Sequence, residues 1–375
     1  MEETSEVTQE VMDQTSCNGC GSILKFKAGT FHLSCEHCGA ENEIQGAGET
    51  VVTEELDYEK FINESLEKDD KEIISSVSCT SCGASITLKP NITSDACPFC
   101  DTSLVLTNGT SCSVHKPQYL LPFNIDNKQA VAAYTKWVKG LWWAPNDLKR
   151  FSSKTDKLNG VYTPYWTYDA ATKNSYTGER GDYYYVNQSY TTTENGKTVT
   201  KTKSVRKTRW SLASGNLSQE FDDILIIASH SLPKIKANKL IPWDLQNLSV
   251  FNEQFLQGFR TESYQVDVKE GLDIAKGIMN DEIKQSVKRQ IGGDEQRIYS
   301  LKTSFQEVKF KHILLPVWIS AFMYNNKVYR FLINGRTGLV QGERPYSWIK
   351  ISSAVFFILS LIVLIFFLME SFKVE

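Results

Sequence analysis

The stretch that decides the fold of the N-terminal region is residues 17–38, CNGCGSILKFKAGTFHLSCEHC. A second stretch with the same layout is residues 79–100, CTSCGASITLKPNITSDACPFC. In each stretch, fourteen residues separate one Cys-x-x-Cys pair from the next. Two thiolates at this spacing bind one side of a metal ion, and the second pair completes a tetrahedron. The spacing therefore predicts two tandem zinc ribbons, at residues 16–45 and 76–108, with one zinc ion each. Disulfide bonds between the cysteines are the alternative.

The predicted zinc ligands are the eight cysteines of these four pairs. They are Cys17, Cys20, Cys35, Cys38, Cys79, Cys82, Cys97 and Cys100. Four thiolates leave no coordination position for water or substrate, so both sites are predicted to be structural. The metal substitutes for a hydrophobic core that is too small to fold alone. His37 lies between two ligands and is interpreted as a bystander.

Residues 351–369 form a run of nineteen residues without a charge, rich in Phe, Ile, Leu and Val. A helix of that length spans about 28 Å, close to the hydrocarbon thickness of a bilayer. The alternative is a buried core helix, but such helices usually carry a polar stripe. The pattern predicts a transmembrane helix at residues 350–369 with a short tail at 370–375, which is the layout of a tail anchor. Tyr346 and Trp348 stand where aromatic rings favour the headgroup level.

The charges that flank this segment predict its orientation. Arg336, Arg344 and Lys350 precede the segment, whereas only Lys373 follows it. The positive-inside bias then places the N-terminal bulk in the cytoplasm, at the inner (cytoplasmic) membrane. Thiolates that bind metal also persist best in a reducing compartment. The first residues have neither a basic region nor an apolar run, so no signal peptide is predicted.

The 375 residues and the net charge of −3 point to several folded units and to no particular class of partner. Residues 1–15 are predicted to be disordered. Residues 46–75 join the ribbons. Between positions 41 and 72 the sequence has twelve acidic residues and three basic ones. This composition predicts a solvated acidic linker with one short helix near residues 56–66. An acidic interaction segment is the alternative.

Residues 116–346 are predicted to form a strand-rich α+β body with two amphipathic helices. One helix begins after Asp126, with Gln129 completing a capping box. The other begins after Asp267 and ends at two glycines, and its apolar stripe has helical spacing. Residues 313–341 have the pattern of a β-meander. Residues 161–166 resemble residues 313–318, which suggests two equivalent strands of a two-part β core, although chance similarity is the alternative.

Residues 183–209 are predicted to form a long basic hairpin, because Asn195-Gly196 is a two-residue turn sequence. The register that this turn fixes places four cations and two tyrosines on one face. These residues are Lys201, Lys203, Lys207, Arg209, Tyr184 and Tyr190. Such a face could bind nucleic acid, anionic lipid or a protein partner. The alternative is a solvated ribbon whose charges prevent aggregation.

Motifs for catalysis are missing from the sequence. It has no phosphate-binding G-x-x-x-x-G-K-[ST] loop, no G-x-S-x-G elbow and no H-E-x-x-H pair. Asp222-Asp223 are either paired carboxylates or a strand turn. His312 adjoins an apolar strand and is interpreted as a core or loop residue and not as an acid or base.

Several strings together resemble a widespread, uncharacterised bacterial family of zinc-ribbon proteins, over nearly everything from Cys17 to Lys350. They are LPF at 121–123, WWAPN at 142–146, GVYTPYWTYDA at 160–170, YTGERGDYY at 176–184, IGGDEQ at 291–296, KHILLPVW at 311–318 and NGRTG at 334–338. Members of that family are often labelled as similar to the primosomal protein N-prime, a superfamily II helicase. This chain has no helicase ATP-binding motif, so the resemblance transfers neither helicase activity nor an active site.

Taken together, these patterns predict an α+β multidomain protein: two zinc ribbons with two zinc ions, a body domain and one membrane span. The expected function is an adaptor or scaffold that binds a protein partner at the cytoplasmic face of the membrane, without catalysis. The alternative is a nucleic-acid-binding protein of replication or repair. A third hypothesis is an enzyme with a pocket in the body.

Overall fold

The computed structural model describes residues 16–46, 48, 53–67, 72–80, 84–87, 94–99, 102–105, 110–145, 158–194, 197–324 and 327–371. Across these residues the chain is an α+β protein rich in strand. Its α-helices are α1 (Tyr58–Glu67), α2 (Asn127–Lys139), α3 (Lys234–Ala237), α4 (Val268–Ile291) and α5 (Trp348–Ser371). Its strands are β1 (Lys25–Phe26), β2 (His32–Ser34), β3 (Glu41–Glu43), β4 (Leu56–Asp57), β5 (Glu72–Ser78), β6 (Ser85–Thr87), β7 (Ser94–Ala96), β8 (Ser103–Val105), β9 (Thr110–Val114), β10 (Tyr119–Leu120), β11 (Asn159–Glu194), β12 (Lys197–Ile227), β13 (Ser249–Val250), β14 (Arg260–Thr261), β15 (Glu295–Tyr324), β16 (Lys327–Asn334) and β17 (Val340–Gly342).

Three very long strands organise the structure. β11 lies between β12 and β15 and pairs antiparallel with both. These strands are part of a nine-stranded sheet that also contains β4, β10, β13, β14, β16 and β17. β11 alone has 36 residues, which corresponds to a contour length on the order of 120 Å at about 3.3 Å per residue. The chain therefore has one long scaffold along which its other elements are arranged.

The two similar strings of the sequence are neighbours in this sheet. Val161 pairs with Val317 and Tyr165 pairs with Ile313, so residues 161–165 and 313–317 run antiparallel, side by side. Every side chain from Val161 to Tyr168 is buried. A strand that is covered on both faces is apolar at every position rather than at alternate ones. We call this part of the sheet, residues 159–168 and 310–320, the base.

The two Cys-x-x-Cys regions cover opposite faces of the base. Ile313 and Leu315 are in one core cluster with Val77 and Phe99, from the second region. Leu314, which points to the other face, is in a different cluster with Phe26, from the first region. Alternate residues of a strand point to opposite faces of the sheet. Both regions therefore share a hydrophobic core with the body and are not independent domains.

Both predicted helices are present, with the predicted caps. The Gln129 N–H donates to Asp126 Oδ1 at 2.7 Å, and the Asp126 N–H donates to Gln129 Oε1 at 2.9 Å, which is a capping box. The Glu270 N–H donates to Asp267 Oδ1 at 2.7 Å, and α4 ends at Gly292 with φ 69°. The apolar stripe of α4 is buried as predicted. It consists of Leu272, Ala275, Met279, Ile283, Val287 and Ile291.

The acidic segment between the ribbons differs from its prediction as a solvated linker. Its helix, α1, is present, but Phe61 and Ile62 pack against the core of the body. The preceding Leu56 and Asp57 form β4, which pairs with Phe310 and Lys309 of β15. The acidic composition concealed an apolar stripe that docks on the sheet. Part of this segment therefore belongs to the body.

The predicted hairpin has the predicted register and is longer than expected. Tyr190 pairs with Lys201 and Tyr184 pairs with Lys207, as the turn sequence requires. The turn residues themselves, 195–196, lie outside the described residues. The pairing continues far beyond residues 183–209, and from Gly181 towards Asn159 β15 joins as a third strand. We call the two-stranded part, residues 183–194 and 197–209, the arm.

The helix α5 is long and apolar enough to cross a membrane between Trp348 and Phe366. None of these nineteen residues is buried, and large apolar side chains such as Phe356 are exposed along the helix. A helix that packs on the core of a globular domain buries one of its faces. The prediction of a helix at residues 350–369 is therefore confirmed, with two additional residues at each end.

Candidate metal centre and charged surfaces

Two tight turns hold the four cysteines of the first region. The Cys17 N–H donates to the Ser22 carbonyl at 2.8 Å, and the Cys35 N–H donates to the Ala40 carbonyl at 2.9 Å. Each turn contains a glycine in the left-handed region: Gly21 in the first turn and Gly39, with φ 76°, in the second. Glycine adopts this conformation without steric cost. The two pairs of cysteines are therefore presented by matching backbone loops.

The four sulfur atoms of these loops lie together. All are within 4.8 Å of one another. The Cys17 and Cys38 sulfurs are 3.4 Å apart, and those of Cys20 and Cys35 are 3.5 Å apart. Sulfurs around a tetrahedral zinc ion at about 2.3 Å are separated by about 3.8 Å. Hydrogen bonds from backbone N–H groups, that of Gly19 first, lower the pKa of Cys17 and favour its thiolate form. A backbone hydrogen bond also acts to lower the pKa of Cys38, but the three neighbouring thiols raise it above its ordinary value.

This donor set fits a structural metal site. Four thiolates in a tetrahedron are the arrangement that zinc prefers, and the soft donors exclude hard cations such as Mg²⁺. Cys17 and Cys35 are buried, whereas Cys20 and Cys38 are exposed. The cluster thus joins the surface of the ribbon to the core beneath it. It has the composition of a site that stabilises structure and leaves no position for substrate.

The second region is described only in part. Cys79 and Cys97 are buried, while Cys82 and Cys100 lie outside the described residues. The backbone nevertheless repeats the arrangement of the first region. The Cys79 N–H donates to the Ala84 carbonyl, and the Cys97 N–H donates to the Thr102 carbonyl, both at 2.8 Å. In all four turns, the first cysteine donates to the carbonyl five residues later.

The arm carries the predicted cations and tyrosines at its surface. None of the arm side chains that the structure describes is buried. Tyr184 and Tyr190 are 37% and 47% exposed. The Arg209 guanidinium lies 5.3 Å from the Tyr184 ring centre, and that of Arg206, on the other face, lies 4.2 Å from the Tyr183 ring centre. Cations and aromatic rings therefore alternate on both faces near the root of the arm.

A cluster of charges that the sequence did not reveal lies where the start of β4 meets β11, β12 and β15. Lys311, whose side chain is 3% exposed, donates to Glu55 Oε1 at 3.0 Å and forms an ion pair with Asp223 at 2.8 Å. The Asp223 N–H donates to Asp169 Oδ1 at 2.7 Å. Asp223 has φ 51°, beside the irregularity in pairing at residues 168–170. Asp222 and Asp223 are thus inside a long strand and not at its start.

Neighbouring charges shift the ionisation of this cluster in opposite directions. Burial and then the hydrogen bond with Glu55 raise the pKa of Asp169 to about 7. The same hydrogen bond and the Lys311 ammonium lower the pKa of Glu55 to about 2. Burial acts to lower the pKa of Lys311, but its carboxylate partners raise it above its ordinary value. The two acids therefore share one proton beside the Lys311 ammonium. Together these groups form an ion-pair network that joins the segment before α1 to the sheet.

Oxygens of Glu55, Asp169 and Asp222 also lie within 4.8 Å of one another. The Lys311 ammonium already pairs with Glu55 of this group and with Asp223, so we interpret the cluster as structural. The one signal in the sequence is Lys311 itself, a cation within the apolar run of β15. Its partners could not be identified from the sequence, because they are far away along the chain.

His312, which was expected in the core or in a loop, is a core residue. It is 5% exposed, and its ring centre lies 4.5 Å from that of Trp166. Burial lowers the pKa of His312 to about 4, so the imidazole is neutral at physiological pH. A cleft of ≈ 500 Å³ lies at the other end of the base, lined by Trp137, Lys236, Glu343 and Arg344 among others. Within the described residues, this cleft contains no pairing of a nucleophile with a base.

The fold and the cysteine cluster define a strand-rich α+β protein with a candidate four-cysteine metal site and a candidate membrane helix. No family model matches the chain, and no solved structure matches it. The chain is 25% identical over 339 residues to the uncharacterised protein YdjG of Bacillus subtilis (strain 168). The aligned region covers 90% of this chain and 91% of that protein. The likeness is consistent with an uncharacterised family and provides no helicase or primosomal function.

Proposed function

We propose that this chain is a membrane-anchored zinc-ribbon scaffold whose arm binds a protein partner at the cytoplasmic face of the membrane. In this proposal each ribbon holds one structural zinc ion, and α5 is the part of the described chain that crosses the bilayer. The helix acts as a tail anchor of the cytoplasmic membrane. The base and its ribbons form a rigid platform, and the arm is the recognition element.

The observation that carries this proposal is the arm. A two-stranded ribbon without a packed face is marginally stable by itself. Here it continues, without a break, from strands that are fully buried at the base, so the base stabilises it. A protein has no structural use for such an extension, because it adds no buried apolar surface. Extended elements that project from a rigid scaffold commonly serve binding.

The position of the arm favours a partner away from the bilayer. The loop before α5 is hydrogen-bonded to the loop after α2. The helix α2 in turn packs on β16, where the ring centres of Tyr134 and Phe331 are 3.9 Å apart. The anchor is therefore at the base end of the sheet. The root of the arm, Tyr183, lies 24 residues further along β11 than Asn159, roughly 80 Å along the strand at about 3.3 Å per residue. This separation supports a cytoplasmic partner over lipid headgroups.

Cross-linking in intact membranes tests the proposed function. A photoreactive amino acid at position 190, on the cationic face of the arm, should yield a discrete adduct with one protein. The same amino acid at Ser218, an exposed position on the three-stranded part of the sheet, is the matched control. Changing Lys201, Lys203, Lys207 and Arg209 together to Ala should remove the adduct. The same products from positions 190 and 218 would contradict the proposal.

Nucleic acid is the second candidate partner, because cations and aromatic rings alternate on the arm. Such surfaces neutralise phosphates and stack on bases. Binding of single-stranded DNA across a salt series measures this directly. If nucleic acid binds to the arm, the affinity of the wild type falls steeply with salt, and the fourfold Ala variant has a shallower slope. Binding without salt dependence would exclude this alternative.

A further inference from the structure

We propose that residues 141–144 and the start of α5 form one aromatic membrane-contact surface that lies in the headgroup region of the bilayer. Two exposed tryptophans from separate parts of the chain, Trp142 and Trp348, provide its sides. The inference rests on the proposed membrane span, since it concerns the bilayer leaflet next to that span. It adds a second point of contact, through which the membrane fixes the orientation of the base.

Hydrogen bonds hold the two segments together. The Ser347 N–H donates to the Trp143 carbonyl at 2.8 Å. The Lys350 ammonium donates to the Trp142 carbonyl at 3.1 Å and to the Ala144 carbonyl at 2.8 Å. Lys350 is the third residue of α5. The backbone of residues 142–144 is therefore beside the first turn of the membrane helix, at the depth where the helix leaves water.

The side chains of this surface are apolar and exposed. Trp142 is 77% exposed, Trp348 is 79% exposed and Tyr346 is 54% exposed. By contrast, Leu141 and Ala144 are buried against Trp137, so the loop is anchored from below. Large aromatic side chains that face water on a fixed backbone mark a contact surface. Indole rings favour the membrane–water boundary, because they are apolar with one polar N–H group.

The basic side chains near this surface are also consistent with a position in the headgroup region. Lys350 has three N–H donors, and two of them bind the carbonyls of the loop. Arg344 lies over the Tyr346 ring, at 5.3 Å from its centre. Basic side chains at the end of a span extend to the phosphate level and interact with anionic headgroups. A protein partner would require no such agreement between the aromatic side chains and the entry point of the helix.

Depth-dependent quenching in lipid nanodiscs tests the inference on the full-length protein. A genetically encoded fluorescent amino acid is placed at position 142, at position 356 within the span, or at position 212. Leu212 is 87% exposed and lies near the arm, so it is the matched control. We expect the probe at 142 to be quenched several-fold more by a shallow spin-labelled lipid than by aqueous iodide. The probe at 212 should show the reverse.

The probe at 356 separates the two proposals. If a deep spin label quenches it while the probe at 142 responds only to iodide, the contact surface is wrong and the membrane span stands. If no spin-labelled lipid quenches the probe at 356, the proposed span itself is wrong. If the probe at 142 is protected from both quenchers, another protein or a second copy of this chain covers the tryptophans, and the inference is also overturned.

Discussion

The base and the arm share the strand β11 and differ in what covers it. In the base, β11 is buried on both faces, because the two cysteine-rich regions pack on opposite sides of the sheet. In the arm, the continuation of β11 pairs only with β12, and its described side chains are not buried. The strand thus changes from an apolar core element to a polar surface element. The comparison indicates that the described buried contacts are concentrated at the base, and the proposed function assigns recognition to the arm.

The largest expected effect comes from removing a metal ligand at the base. Cys35→Ser should abolish metal binding by the first ribbon, and the ribbon should unfold, because structural zinc provides apparent binding energies on the order of 10 kcal/mol. Thermal melting of the full-length protein in detergent, together with its zinc content, measures both consequences. His37→Ala is the matched control, since His37 is exposed between the ligands. If the Cys35→Ser variant melted at the same temperature as the wild type, a bound metal would not stabilise the base.

A core substitution at the base should have the next largest effect. Leu314 is 1% exposed, so Leu314→Ala should cost about 2–5 kcal/mol in the free energy of unfolding. Val186→Ala, in the arm of the same sheet, should change it by less than about 0.5 kcal/mol. Chemical denaturation measures both values. Equal losses for the two variants would contradict the division between base and arm.

A smaller effect is expected at the start of α4, which covers the middle of the sheet between base and arm. Asp267→Ala removes the acceptor of the Glu270 N–H and should cost about 1 kcal/mol. Asp281→Ala, at an exposed position within the same helix, removes only a surface ion pair with Lys284. Such pairs contribute little. Denaturation of both variants should rank Asp267 clearly above Asp281, and the reverse order would show that the cap is unimportant.

The smallest effect concerns pH and the proton shared by Asp169 and Glu55. Because the pKa of Asp169 is raised to about 7 in the folded protein, the folded state binds a proton that the unfolded state has lost above about pH 4. The contribution of Asp169 to stability is therefore complete below about pH 4 and is lost as the pH rises through 7. Half-exposure of the group reduces the size of this effect.

The variant Asp169→Asn separates this proton from other titrations. An amide can donate to Glu55 and accept from the Asp223 N–H at any pH, so the variant should gain melting temperature relative to wild type between pH 5 and pH 8. Glu55 acts in the opposite sense and at lower pH, because its lowered pKa, about 2, adds stability that is lost as the pH falls below about 4. Parallel melting curves for wild type and variant across pH 5–8 would contradict the shared proton.

Much of this arrangement could be predicted from local sequence. The capping residues Asp126 and Asp267 fix their helices through neighbours three residues away, and the Asn-Gly turn fixes the register of the arm. The spacing of the cysteines predicted the cluster of Cys17, Cys20, Cys35 and Cys38. In each of these cases, the partners are close in sequence or are related by a repeated spacing.

Contacts between distant segments could not be predicted. The ion pair of Lys311 with Glu55 joins residues 256 positions apart, and nothing in either neighbourhood specifies the other. The docking of α1 was missed because the acidic charges around Phe61 are typical of a solvated linker. Likewise, the apolar residues of each ribbon do not indicate which face of the sheet they cover. These features depend on the assembled sheet and not on any one of its segments.

The zinc content of the purified full-length protein tests the account of the base most directly. Mass-spectrometric metal analysis of protein prepared without chelators should find two zinc ions per chain, one for each ribbon. The two cysteine-rich regions cover opposite faces of the base, so the proposed function predicts that both metals contribute to its stability. A content of one ion or none, in protein that remains folded, would contradict the claim that two metal-bound ribbons stabilise the base.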